Sequence, residues 1–523
     1  MKKPRLLILG IAFASALTVS GCFLIKKNTE QDIVELPSIN CASSLRLNLL
    51  GYKSKKLYPE LSDSSIKDPK FSFNSSNSNI ATVDSEGRVT AVAAGDCEVT
   101  IVLQLNNSVK KTVPIKVVEE EVSTYDYTIM FYMCGSDLEY NAEAKSADEH
   151  GFFTRDIQEM LSVSDLPDSV RIIIETGGSK KWFMPGSYLE GADEISSTAL
   201  QRWEVNNSTS KLTLIETLTG NNHMADEDSF RDFLSWGLDN YGADQMGVVI
   251  SGHGGGIAGC AYDDNYLDEE NYPHTLQTFE VAKAAKVALA NSNKNKFTWI
   301  GYDCCLMQCA DIATINSDYF EYMVASQEEE NAIGWNHDAY LPYLKANTKI
   351  EPSEFLPKIC ESFVEETHTS VEKKPCLQTL SVLDLSKVDT LISEFESVSN
   401  KLGSFVTIAA DKARKAFEKS YNAFGDKMYG LCDFNSLLDQ ISAQCSINTT
   451  AAKNAVNSLV LDKEYCASYS TTPCGVNAFF PKYLNSDSRY ALQVGAVDYD
   501  PGKETTKFTR WQEICVAYNG FGW

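Results

Sequence analysis

The sequence is short of positive charge: 46 Lys and Arg stand against 71 Asp and Glu, a formal net charge of −25. A surface of that sign repels phosphate backbones, which excludes a nucleic-acid partner. Histidine is scarce, with 6 residues in 523, and none stands beside a cysteine pair at zinc-site spacing, so no metal ligand set is assigned. There is no Gly-rich phosphate loop and no dinucleotide fingerprint. After residue 22 no apolar run reaches the roughly 18 residues of a membrane span. The 15 cysteines contain no C-x-x-C pair, and their spacings form no small-domain disulfide framework. Disulfides stay open to a chain outside the cytosol, but unpaired cysteine is also among the most buried residue types.

What is present begins with Met1-Lys2-Lys3-Pro4-Arg5, a basic n-region, followed by the apolar run Leu6 to Val19. Together they read as a signal peptide, not as part of the fold. The run ends in Val19-Ser20-Gly21-Cys22, which resembles the lipobox of bacterial lipoproteins. That resemblance implies cleavage of residues 1–21, lipid on Cys22, and an extracytoplasmic lipoprotein held to a bacterial membrane by its lipid anchor only. The alternative is an ordinary secretory signal. Residues 22–34 are polar and charged and read as a tether.

Residues 35–118 read as all-β. Ile80-Ala81-Thr82-Val83 and Arg88-Val89-Thr90-Ala91-Val92 flank the turn Asp84-Ser85-Glu86-Gly87, and Cys97 to Val102 and Thr112 to Val118 follow as further strands. Short strands at regular spacing predict a sandwich. The stretch from Ser75 to Gly95 resembles the bacterial immunoglobulin-like modules of group 2. Cys41 and Cys97 are placed either to pair across such a sandwich or to sit apart as thiols. Glu119-Glu120-Glu121 reads as a hinge, with the module as a spacer.

Beyond the hinge the pattern changes to apolar strands alternating with helices. Tyr127 to Met133, Val170 to Glu175, Met246 to Ile250 and Phe297 to Tyr302 are the strands. A helix around Ser229 to Tyr241 carries Phe233, Trp236 and Leu238 at helical spacing. Such a pattern predicts an α/β domain with a mostly parallel sheet covered on both faces. Ligands of such sheets sit at the carboxyl ends of the strands. The third strand runs into Ser251-Gly252-His253-Gly254-Gly255-Gly256 and the fourth into Asp303-Cys304-Cys305-Leu306. Taken singly, the histidine fits a tight turn and the thiols fit a buried core. Taken together on neighbouring strands, they present the thiol–base pair of nucleophilic catalysis. The histidine lies roughly fifty residues upstream of the thiol, as in caspases.

This region resembles the clostripain family of cysteine peptidases, which has a caspase-like fold. The histidine motif matches His253-Gly254-Gly255-Gly256 followed by Ala261-Tyr262-Asp263-Asp264, and the nucleophile motif matches Asp303-Cys304-Cys305-Leu306-Met307. The similarity continues through Val324 to Glu328, and Tyr127 to Met133 with Asp137-Leu138-Glu139 resembles the family's first strand and loop. It extends over residues 125–523. The resemblance implies Cys305 as nucleophile, His253 as general base and acid, and an oxyanion hole from the backbone N–H groups of Gly254 and Cys305. It also implies Asp303 as the carboxylate of a pocket for Arg or Lys before the cleaved bond of protein or peptide substrates. An imidazole near the thiol is expected to raise the thiolate fraction near neutral pH.

Cys304 departs from the family, where a small residue is usual; it is expected to fill space, with oxidation against a neighbour as the alternative. Cys309 is expected to pack inside a helix. The family's self-cleavage after a basic residue finds no Lys or Arg from Gly254 to Ala282, which leaves Lys294 or Lys296. Asp263, Asp264, Asp268, Glu269 and Glu270 form an acidic loop expected to be solvated. No cofactor is required, and Ca2+ remains possible there although the spacing of a dedicated calcium loop is absent. The rival reading is an inactive surface adhesion or binding lipoprotein with a peptidase-like domain.

Overall fold

The computed structural model describes residues 36–518, apart from 63–65, 67–68, 121–123, 145–148, 219–222, 269–270, 371–377, 421–429, 467–468, 470 and 481–505. The expected signal segment, Cys22 and the tether lie outside the described residues. No helix among those described is long and apolar enough to cross a membrane.

The N-terminal part is a β-sandwich. One sheet holds Leu45–Asn48, Lys110–Val118, Gly95–Leu103 and Phe71–Ser75; the other holds Ser54–Lys56, Arg88–Ala91 and Ala81–Val83. Strict alternation makes the core: Cys97, Val99, Ile101 and Leu103 from one strand meet Val113, Ile115 and Val117 from the next. The expected turn forms because the Asp84 carboxylate accepts hydrogen bonds from the Glu86 and Arg88 backbone N–H groups, each at 2.9 Å. Cys41 and Cys97 are separate buried thiols, so no bridge spans this sandwich.

The remainder is built on a ten-stranded sheet. Its centre is parallel, in the order Val170–Gly177, Tyr125–Cys134, Ala243–Ser251, Phe297–Asp303, Phe320–Ala325. Thr379–Asp384 and Val460–Tyr465 extend one edge in antiparallel fashion; Gln201–Asn206 and Lys211–Thr217 do the same at the other. The central parallel strands are largely apolar because both faces are covered. Ile129, Phe131 and Met133 point to one core, with the helices Phe152–Ser162, His337–Ala346 and Pro352–Ser370. Met130, Tyr132 and Cys134 point to the other, with the helices Glu227–Asn240 and Thr278–Ala290. Each fully buried large side chain contributes about 1.5–3 kcal/mol by leaving water, and the Trp299 indole N–H donates to the Tyr127 hydroxyl at 2.8 Å.

The sandwich is docked on the sheet domain and is not the loose spacer expected from its sequence. Lys55 pairs with Asp239 with only 3% and 10% of the two side chains exposed. Asn291 caps the contact twice, accepting from the Lys56 N–H at 2.8 Å and donating to the Lys56 carbonyl at 3.0 Å. Lys283 bridges Glu60 and Glu227 at 2.6 and 2.9 Å, and the hinge is tied back because Asn48 donates to the Glu120 carbonyl. Replacing Lys55 with Met strands the Asp239 carboxylate in a buried place. Lys55→Met is therefore expected to lower the unfolding free energy by about 3 kcal/mol, measured by urea denaturation; an unchanged midpoint would mean that the two parts do not depend on this contact.

Candidate active site

Two neighbouring parallel strands fix the site. Ser251 is paired with Asp303 at their carboxyl ends, and the Gly252 N–H donates to the Asp303 carbonyl at 3.2 Å. His253 and Cys305 therefore leave the sheet side by side. The glycine after the histidine is a packing requirement: a Cβ on Gly254 would fall 2.2 Å from the Cys305 carbonyl oxygen and 3.0 Å from its nitrogen. The histidine turn lies directly on the backbone of the cysteine turn. Neither the Gly254 nor the Cys305 N–H donates to a backbone carbonyl among the described residues.

His253 is half-exposed, and its Nε2 is held by the Asp137 carboxylate at 2.6 Å. Hydrogen bonding to the imidazole keeps the Asp137 carboxyl below the usual range. The Tyr262 ring stands edge-on to the imidazole, 6.1 Å between centroids. Nδ1 is the nitrogen left for chemistry. Three non-glycine residues around the site, Ser136, Ala261 and Leu306, take left-handed backbone with φ of 42°, 50° and 74°. Each such residue costs roughly 1–2 kcal/mol, so the surrounding packing holds the turns under local strain.

The Cys305 thiol accepts a hydrogen bond from the Glu330 N–H at 3.3 Å. Burial pushes it up to about 11, against that donor. Burial outweighs the hydrogen bond in setting this direction, and the thiolate need not be permanent. Cys304 is fully buried with its Sγ directed at the Ile250 carbonyl, 3.3 Å away; it fills space, as expected. Cys309 is buried just before the helix Ala310–Asn316, as its cap residue and not within it.

Beneath the thiol lies an acidic floor. Asp303 is 6% exposed, and burial pushes its carboxyl up to about 6. Glu330 is pushed well above the usual range by burial and by the Asp303 charge. Burial and mutual repulsion act together against ionising both carboxyls at once.

The clostripain-family model matches residues 132–514, the greater part of the chain and both turns. The chain belongs to the clostripain family. The bacterial immunoglobulin-like group 2 model matches residues 46–113. Among solved structures, a secreted C11 cysteine protease of Bacteroides thetaiotaomicron, iotapain, shares 18% identity with a TM-score of 0.51, covering 74% of this chain and 99% of its own. An inactive zymogen C11 protease from Parabacteroides distasonis shares 16% identity with a TM-score of 0.48, covering 69% and 94%. No curated protein matches the sequence.

As a clostripain-family chain it is of cysteine-peptidase type with a caspase-like sheet, and the structure adds two residues to those expected from the motifs. Asp137 had a signal, in the Asp137-Leu138-Glu139 loop after the first strand, but nothing local told it from Glu139. Glu139 turns inward and binds the Thr154 and Phe183 N–H groups. Glu330 is one of three consecutive glutamates, and only the fold picks out the third. Of the acidic loop expected to be solvated, Asp263 and Asp264 fall in the strand Cys260–Leu267, paired with Pro273–Leu276, while Asp268 follows it and Glu269 and Glu270 lie outside the described residues. Asp263 is buried and accepts the Met224 and Asn265 N–H groups at 2.7 and 2.9 Å. Lys294 and Lys296 are engaged with the Asp244 and Ser317 carbonyls. Because the Cys305 thiol ionises near pH 11, its alkylation by iodoacetamide is expected to accelerate about tenfold per pH unit from pH 7 toward 10. Peptide mass spectrometry would follow it; a plateau by pH 8 would show a preformed thiolate.

Proposed function

We propose that this protein is a surface-anchored cysteine endopeptidase that cleaves protein or peptide substrates after Arg or Lys, held to the outer face of a bacterial membrane by lipid on Cys22. The observation that carries the specificity is the buried Asp303 carboxyl, two residues before Cys305 in sequence, with Glu330 beside the thiol through its N–H. A guanidinium or ammonium entering there meets carboxyls already stripped of water.

In the reaction, Cys305 Sγ attacks the carbonyl carbon after the basic residue while His253 Nδ1 takes the thiol proton. Asp137, on Nε2, holds the ring and balances the imidazolium that forms. The oxyanion lies against the Gly254 and Cys305 N–H groups. Collapse expels the amine, which takes the proton from His253 and leaves a thioester. Water, deprotonated by the same imidazole, then releases the acid and restores the thiol. With a thiol that ionises near pH 11, proton transfer accompanies attack.

Purified protein, assayed on Arg and Lys reporter peptides, is expected to lose all turnover in Cys305→Ala and about 10³-fold in His253→Ala. Asp137→Asn should lose about tenfold in kcat, a modest effect because the pair is half-exposed. Absence of cleavage across a broad peptide library, with or without calcium, would instead favour the inactive binding lipoprotein.

The pocket has its own signature. Asp303 is a carboxylate only above about pH 6, so kcat/KM for basic substrates is expected to fall as pH drops through that value. Asp303→Asn should lower kcat/KM about 10²-fold for basic substrates and remove that step from the pH profile. An unaltered Arg and Lys preference in this variant would refute the assignment.

A further inference from the structure

Behind the acidic floor, on the side of the sheet covered by Phe152–Ser162 and His337–Ala346, three ligating side chains meet. Asp156 comes from the first helix, Asp303 from the end of the cysteine strand, and His337 opens the second helix. One donor atom from each lies within 4.8 Å of the other two. We propose that Asp156, Asp303 and His337 hold one divalent metal ion of the Mn2+ or Zn2+ type, sharing Asp303 with the pocket beside the thiol.

Two buried atoms point to a missing partner. Asp303 Oδ2 and His337 Nε2 are shielded from solvent and make no hydrogen bond among the described residues; Asp303 is 6% and His337 0% exposed. A buried acceptor left without a partner is destabilising unless something occupies it. The other imidazole nitrogen is already committed: Nδ1 lies 2.6 Å from the Tyr340 hydroxyl. With the proton on Nδ1, the Nε2 lone pair is free to bind a metal, and Tyr340 fixes the ring as an outer partner does in metalloprotein sites. The Phe131 ring, edge-on at 5.2 Å, holds the imidazole from the other side. The imidazole is wholly buried beside the two carboxyls.

The backbone leaves room at the same spot. Gly334 has φ +69°, and a Cβ there would stand 3.2 Å from Asp303 Oδ2 and 3.5 Å from Asp156 Oδ1. Both carboxylates thus converge on the space that a side chain would fill. Two carboxylates and an imidazole form a hard-to-borderline donor set, suited to Mn2+ or Zn2+ and not to a thiophilic ion such as Cu(I). Bonds of about 2.1 Å bridge the three donors after small side-chain shifts. Such an ion would tie the nucleophile strand to both helices, which the Glu159 carboxylate already joins by accepting the His337 N–H at 3.0 Å.

Mn2+ is the probe of choice because it avoids the many thiols of this chain. The full chain carrying Cys305→Ala is titrated with Mn2+ and the free ion read by electron paramagnetic resonance. One saturable site per chain is expected, displaced by Zn2+, with a rise in melting temperature on binding. Asp156→Asn, nearly isosteric, should weaken Mn2+ at least tenfold while leaving the melting temperature in chelator unchanged; His337→Gln should do the same, and if it fails to fold, Asp156→Asn decides. Weak, non-saturating binding alone, or a saturable site that both variants retain, would overturn the proposal. The readout is binding by a protein that cannot cleave, so it stands whether or not the chain prefers Arg or Lys.

Discussion

The pairing of Ala243–Ser251 with Phe297–Asp303 is the constraint on which the rest depends. Parallel neighbours end on the same side of a sheet, so two turns far apart in sequence emerge together, with Ser251 opposite Asp303. The hydrogen bond from Gly252 to Asp303 and the close seat of Gly254 on Cys305 extend that register past the sheet. A one-residue slip would exchange the faces of every side chain beyond it. The two apolar cores, one on each face, hold the register in place.

Water exclusion at this end of the sheet sets the chemistry. It raises the Cys305 thiol and the Asp303 carboxyl together, and it makes a cationic ligand the natural complement of the acidic floor. The strained residues Ser136, Ala261 and Leu306 gather in the same place, where the sheet below over-determines the turns. Asp303 stands at the centre of this economy. It faces Glu330 on one side, and Asp156 and His337 on the other.

The immunoglobulin-like module enters the same structure from a distance. Its contacts fall on Glu227–Asn240 and Thr278–Ala290, the helices that cover one face of the sheet. A buried lysine–aspartate pair gives direction more than strength, since both charges lose their hydration. The module is thereby oriented on the sheet domain, which a spacer joined only by a hinge would not be.

The strands were legible because each needs a continuous apolar run or a strict alternation, and the glycine-flanked histidine and the cysteine turn were legible because they follow such runs directly. By itself the sequence determined the order of elements, the two parts of the chain, the identity of His253, Cys305 and Asp303 as the residues to examine, and the small space that Cys304 fills. The tertiary structure alone decided that Asp137 and not Glu139 reaches the imidazole, that Glu330 and not its two glutamate neighbours donates its N–H to the Cys305 sulfur, that Asp263 is buried, and that His337 meets Asp156. Periodicity is a property of one segment, whereas these pairings join segments whose separation along the chain carries no distance information until the sheet has closed.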